Sequence, residues 1–514
     1  MKMLKSLVAL AGVSGMALGA EFHVAKNGND TNDGSVAKPF ATVERAVTAL
    51  RAVRASTPQE PVRVVIGAGT FELRAPILLT DRDTTGPVAF VGKGATQTIL
   101  SGGREIAPAL WRIGGDGRSW AVTLPEVSNG TWRVQQAYAG GRRVLRPSLP
   151  RNNYFVAEGK PADVEKPVPN RLIAEAGDLD TCRDDLTNGV EFVAMHGWNI
   201  TRARVKAFDR VTREVTLAVG RPGYLRGFDS NSYYRLENVK SAYGEVEGEW
   251  YCEPQTGLLS YLPLPNETPV NAPFVVPVLT NLVTVQGDRA TGRKATNVSF
   301  QSLGFAYVSE PLQEPGTVYH QTSLEAGTAI RVDFAENVSI DACAVRHTGG
   351  WAVKIEGGCV GCAVTGSTFF DLGAGGVALG VKGARRGNEE RHTHDCRVER
   401  CLIEGGGRVQ AGAVGICVVL AGGNRIAHNT IRDFYYSGIS VGYDWSDKND
   451  AASGNIVEWN HIYDIGQRVL SDLGGIYTLG RQPGTILRCN LIHDIRTARY
   501  GAQGIYMDQG SAEI

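Results

Sequence analysis

Two phrases near the end of the chain hold the residue types best suited to chemistry: Ser471-Asp-Leu-Gly-Gly-Ile-Tyr-Thr-Leu-Gly480 and Gly504-Ile-Tyr-Met-Asp-Gln-Gly-Ser511. Laying Gly475 on Gly504 places Tyr477 over Tyr506, with Asp472 just ahead of the first strand and Asp508 late in the second. Two carboxyl groups in one cleft are what splitting a glycosidic bond requires: one protonates the leaving oxygen, and the other attacks or activates water. The aspartate held against a tyrosine with less solvent is expected to keep its proton and act as the acid. A local reading competes, because Asp ahead of a glycine-containing turn is also a common turn former. Asp444 and Trp445, one unit upstream, join Tyr477 and Tyr506 as candidate substrate-binding residues, the tryptophan as a stacking face. His461 and His493 are candidates for binding sugar hydroxyls, with a hydrogen-bonded corner histidine as the alternative. The set calls for no metal ion and no cofactor.

Such candidates need a scaffold that repeats. Three stretches share one grammar: Asn424-Arg-Ile-Ala-His-Asn429-Thr-Ile-Arg-Asp433, Asn455-Ile-Val-Glu-Trp-Asn460-His-Ile-Tyr-Asp464 and Thr485-Ile-Leu-Arg-Cys-Asn490-Leu-Ile-His-Asp494. The second Asn column advances by 31 and then 30 residues, with a less regular continuation back through Cys401, Ser367 and Cys343. A variable period, with short Val/Ile-rich alternating runs between Gly and Asn corners, predicts strands wound into a right-handed parallel β-helix. Stacked coils bring equivalent side chains to strand spacing, where buried polar members can hydrogen-bond along the column. That accounts for the Asn corners, and Asp433, Asp464 and Asp494 read as corner residues in the same way. If Ile476, Thr478, Ile505 and Met507 point inward, strand alternation turns Tyr477, Tyr506 and Asp508 outward.

The 514 residues carry 53 Lys plus Arg against 53 Asp plus Glu, so no net field draws in nucleic acid or an acidic membrane. A local basic groove remains compatible with that balance. Residues 1–20 combine Lys2 and Lys5, an apolar run over 7–18 and small residues at Ala17, Gly19 and Ala20, the pattern of a secretory signal peptide. The expectation is an exported protein, secreted or periplasmic, without a membrane span and monomeric, whose partner is a polysaccharide or oligosaccharide. Nine cysteines are an odd number, and the places of Cys343, Cys401 and Cys489 favour small buried ladder residues. Cys359-Val-Gly-Cys362 is a lone pair for which a local disulfide or a zinc site are the lesser readings.

In chain order, residues 21–103 hold a strand, a helix over 43–54 with Thr42 as N-cap, and the first coils. The helix is expected to cap the apolar end of the solenoid. From 104 to 274 the grammar changes to aromatic, charged and hairpin-like stretches, such as 249–263 around Pro254-Gln-Thr-Gly257, which predicts an inserted antiparallel β domain. Its Arg142, Arg143, Arg146, His196 and Trp198 are candidates for facing a groove, with ordinary packing as the alternative. Residues 275–514 form the main solenoid, and its stop in mid-repeat suggests a sequence shortened at its C-terminus.

The opening Val24-Ala-Lys-Asn-Gly-Asn-Asp with Lys38-Pro-Phe-Ala-Thr, the Gly248-Glu-Trp-Tyr stretch ending at Thr256-Gly257, and above all the two C-terminal phrases resemble pectate-lyase-like β-helix proteins of glycoside hydrolase family 141. The resemblance spans nearly the whole chain after residue 20. It implies hydrolysis of plant cell-wall glycans, since that family includes an α-L-fucosidase acting on a complex pectin and a xylanase. It also implies an acid pair of two aspartates, matched here by Asp472 and Asp508. Two other readings stay open on the same scaffold. A polysaccharide lyase would use a basic residue such as Arg481, Arg488 or Arg499 beside a uronic acid, often with calcium. A non-catalytic solenoid would only bind glycan.

Overall fold

Alternating apolar residues and left-handed corners wind the chain into a right-handed parallel β-helix. The computed structural model describes residues 19–220, 227–230 and 232–514, so the signal-peptide reading lies outside the described residues except at Gly19 and Ala20. Among them, three parallel sheets of ten, nine and nine strands run the length of the solenoid. The first runs from Ala20–Val24 to Ile486–Arg488, the second from Gly69–Glu72 to Leu491–Ile495 and the third from Ile77–Thr80 to Ala502–Met507. One coil is Arg425–Ala427, Thr430–Phe434 and Ile439–Gly442, each strand pairing in parallel with its equivalent one coil on. Ile426, Ile431, Ile439 and Val441 point into the core and are fully buried, at about 1.5–3 kcal/mol each.

The corner between the first and second sheets carries the polar ladder read from the sequence. The Cys343 amide donates to Ser367 Oγ (3.1 Å), that of Cys401 to Asn429 Oδ1 (3.0 Å), Asn429 Nδ2 to Asn460 Oδ1 (2.9 Å) and Asn460 Nδ2 to Asn490 Oδ1 (3.0 Å). The residue before each ladder member is left-handed: Ala342 (φ 49°), Gly366 (55°), Arg400 (54°), His428 (58°), Trp459 (58°) and Cys489 (55°). Cys489 therefore belongs to the exposed left-handed column, and Asn490 takes the ladder place. All nine cysteines are free thiols, Cys359 and Cys362 buried in the core. Asp433, Asp464 and Asp494 (φ 61°, 54° and 52°) form a second left-handed column, a conformation that short polar side chains tolerate.

At the first coil, strand Ala20–Val24 pairs with Val62–Ile66. Helix Val43–Ser56 covers it, with Thr42 Oγ1 accepting the Arg45 amide at 3.2 Å and Val43, Ala46, Val47 and Leu50 buried in the solenoid core. No helix among the described residues is long and apolar enough to cross a membrane.

Antiparallel sheets interrupt the second coil between Thr98–Ser101 and Val283–Gln286, beyond a neck in which Gly103–Ile106 pairs with Phe274–Pro277. The hairpin Trp250–Cys252 with Leu258–Tyr261 forms as its turn residues predict. This insert leaves the solenoid at the corner between the second and third sheets and stays along that edge. Arg143 Nε donates to Asp371 Oδ1 (2.7 Å), Arg202 to the Val409 carbonyl (3.1 Å) and the Ser471 amide to the Gly197 carbonyl (2.8 Å). Arg142 and Arg146 are taken up inside the insert by Glu267 and Glu191. From the same edge, residues 309–327 lie over the third sheet, where Trp351 Nε1 donates to the Ser323 carbonyl (3.0 Å) and Lys354 Nζ to that of Leu324 (2.7 Å).

Candidate active site

Asp472 closes the loop from the second-sheet strand His461–Ile465 to the third-sheet strand Leu473–Thr478. Its backbone is left-handed (φ 61°). Two tethers hold it: its amide donates to the Tyr500 carbonyl (2.9 Å), and its own carbonyl accepts the Tyr436 hydroxyl (2.8 Å). Gln321 Nε2 donates in turn to Tyr436 Oη (2.7 Å), so the covering segment 309–327 reaches the loop of the aspartate. Asp508 follows strand Ala502–Met507, its amide on the Thr478 carbonyl (3.1 Å) and its carbonyl accepting the Ser511 amide (3.0 Å).

Between the aspartates stand the two tyrosines, in register and edge to face, with centroids 4.9 Å apart at 64°. Their hydrogen bonds cross between coils. Tyr477, from the coil of Asp472, donates to Asp508 Oδ2 at 2.6 Å, while Tyr506, from the coil of Asp508, hydrogen-bonds the Asp472 carboxyl. Burial pushes the Asp472 carboxyl above the usual aspartate range and the charge of Asp508 adds to this, against the opposing Tyr506 hydrogen bond. The same bond to Asp472 pushes the Tyr506 phenol up to about 12. Burial, with Tyr436 and Asp508 nearby, raises the Tyr477 phenol further.

The structure sorts the remaining candidates. Tyr477 occupies the outward register but is only 1% exposed, beside Tyr436 and Tyr506, so it supports Asp508 rather than meeting substrate. Ile505 and Met507 keep the inward register of Ile476 and Thr478, yet as members of the outermost coil they are 47% and 54% exposed. Asp444 is spent on its own turn, Oδ1 accepting the Ser446 amide and hydroxyl, each at 2.9 Å. Trp445 is 46% exposed, with its ring edge-on to Tyr443 at 5.1 Å. This loop borders the Asp508 corner so closely that a Cβ on Gly510 (φ 74°) would lie 2.6 Å from the Ser446 carbonyl. His461 and His493 are not brought to the aspartates. They lie on the second sheet, with their Nε2 atoms 2.8 Å apart and both rings stacked on Tyr463.

Two participants escaped the sequence reading. Tyr436 immediately precedes Ser437-Gly438, which lead into strand Ile439–Gly442 of the preceding coil, a weak signal, and Gln321 lies 115 residues before it with no pattern linking them. Among the three arginines near these coils, Arg481 is held by Glu513 (3.0 Å) and Arg488 by Glu458 (2.7 Å), whereas Arg499 lies over the Tyr233 ring.

Residues 328–514 match the family model described as a right handed beta helix region. No curated protein matches the chain. Its fold is similar to a solved structure described as a glycoside hydrolase, at 20% identity and a TM-score of 0.82 over 96% of this chain and 92% of that one. It is also similar, at 13% identity and a TM-score of 0.51, to the complex of XylC with xylose, over 95% of this chain and 69% of that one.

Proposed function

We propose that this chain is a glycoside hydrolase of plant cell-wall polysaccharide, of the pectic fucoside or xylan type, exported and monomeric, with Asp472 as the acid and Asp508 as the base or nucleophile. The crossed Tyr–Asp pairs on adjacent coils support the reading: each aspartate is hydrogen-bonded by the tyrosine of the other coil. Burial favours the protonated form of Asp472, as a proton donor needs, while Asp508 takes a short phenolic hydrogen bond of the kind that anchors a working carboxylate. On this reading the outward face of the third sheet takes the glycan, over Tyr506 and beside the Asp444-Trp445 loop. The sequence resemblance to glycoside hydrolase family 141 and the likeness of fold support the same class.

The experiment is a screen on pectin fragments, xylan and aryl glycosides that records reducing ends and ultraviolet absorbance together. New reducing ends without unsaturated product are expected, and Asp472→Asn and Asp508→Asn each lower turnover by about 100- to 10,000-fold. Full activity in both variants dismisses the assignment of the acids. An ultraviolet-absorbing product assigns a lyase, and retention on glycan without scission assigns a binding protein.

A further inference from the structure

The segment carrying Arg499 is clamped to the loop of the acid along its whole length. The Ala498 amide donates to the Leu470 carbonyl (2.8 Å), the Arg499 amide to Ser471 Oγ (3.2 Å), the Asp472 amide to the Tyr500 carbonyl (2.9 Å) and the Leu473 amide to the Gly501 carbonyl (2.8 Å). Arg499 therefore cannot drift from the Asp472 side of the cleft. Its side chain is set by the insert: the guanidinium lies 4.2 Å from the centre of the Tyr233 ring, and Nε donates to Tyr233 Oη at 2.8 Å. That contact uses Nε and leaves the two terminal nitrogens, which together form an edge suited to a carboxylate.

Of the neighbouring arginines, Arg481 has Glu513, Arg488 has Glu458 and Arg496 has Asp494, whereas Arg468 has, among the described residues, neither an acid nor the ring contact that sets Arg499. Among the described residues no carboxylate comes within ion-pair distance of Arg499, although Asp229 lines the same small hollow with His196, Ser471 and Tyr500. The side chain is exposed. A preset, solvent-facing guanidinium without an acid, one residue from the contact that holds the Asp472 loop, has the geometry to receive an anion.

We propose that Arg499 pairs with the carboxylate of a uronic acid on the Asp472 side of the cleft, so that the substrate is a uronate-bearing glycan. This rests on the hydrolase reading of Asp472 and Asp508, and it is tested by a readout that does not need turnover. Retardation of the protein is measured in native gels containing polygalacturonate or glucuronate-substituted xylan, each against its carboxyl-reduced form. The wild type is expected to bind at least one carboxylated polymer about tenfold more tightly than the reduced form, with the preference fading as salt rises. Arg499→Ala abolishes that ratio, Arg499→Lys keeps part of it as a point charge without the fork, and Arg499→Met, which keeps the stem over Tyr233, abolishes it in a folded protein.

Equal retardation on carboxylated and reduced forms of both polymers overturns the proposal, as does an undiminished preference in natively melting Arg499→Met. A preserved preference with no release of reducing ends removes the catalytic reading alone. Unsaturated product with a preserved preference changes the reaction class and leaves the role of Arg499 standing.

Discussion

Replacing Tyr506 with Phe removes one hydroxyl from the site and leaves the ring against Tyr477. That hydroxyl favours the ionised form of Asp472, whereas burial and the charge of Asp508 favour the neutral one. Without the donor, Asp472 rises further. A hydrogen bond to a charged group is worth about 1.5–3 kcal/mol. Tyr506 is only half-buried, and water replaces part of the loss, which leaves about 1 kcal/mol or about 0.7 pH unit. A general acid works only while protonated, so the alkaline limb of kcat/KM follows Asp472 and should move upward by that amount while the acid limb stays. Stability carries the same sign. With its folded pKa raised, Asp472 favours the native state fully below the ordinary aspartate value, and that contribution fades as pH climbs through the folded value. Tyr506→Phe should therefore melt close to wild type at low pH and lower than wild type once Asp472 is ionised. The assay is a kcat/KM profile at constant ionic strength on the substrate found by the screen, with melting curves at both ends. A limb that stays in place, or moves down, refutes the assignment of Asp472 as the acid held by Tyr506.

Tyr436→Phe removes one of the two tethers on the left-handed Asp472 and should lower kcat about tenfold at nearly constant KM, because a slightly misplaced acid costs rate rather than affinity; steady-state kinetics check the split. Asn460→Ala leaves the backbone and side-chain nitrogens of Asn429 and the Ile426 carbonyl without the Asn460 side chain inside the corner, and Asn490 Oδ1 keeps only the residue-460 backbone amide as donor. Unfolding in urea should show a loss of about 2–4 kcal/mol, with turnover unchanged in the absence of denaturant.

The solenoid was legible because its signals are local. Apolar alternation marks the strands, and Asn or small residues mark the first corner, so that even the irregular members Cys343, Ser367 and Cys401 fell in the right column. Cys489 did not, because the left-handed residue and the ladder residue are adjacent and only φ tells them apart. The aspartate pair could be read from the two parallel phrases, but the burial of Tyr477 could not. Gln321, on the segment over the third sheet, and Tyr436 come from other parts of the chain and carry no repeat signature. His461 and His493 share a phrase with the corner aspartates, and knowing that this phrase lies on the second sheet means counting strands around a corner that sequence does not mark.

If Asp472 and Asp508 are the acids proposed above, one edge of the solenoid divides specificity from chemistry. The insert leaves the second coil between the second and third sheets, segment 309–327 leaves the next coil at the same corner, and Asp472 and Arg499 occupy it in the last two. Because coils stack in register, whatever departs from this corner early in the chain lies beside whatever sits there late, and Gly197 of the insert does reach the Ser471 amide. The third-sheet register fixes the tyrosines and through them the distinct environments of the two carboxyls. The corner segments, free of that register, supply the wall beside Asp472, and the Trp445 loop supplies the rim beside Asp508. On the proposed hydrolase reading, lengthening or exchanging those segments should change which glycan fits without disturbing the crossed pairs, whereas shifting either third-sheet strand by one residue should turn its tyrosine inward and break them.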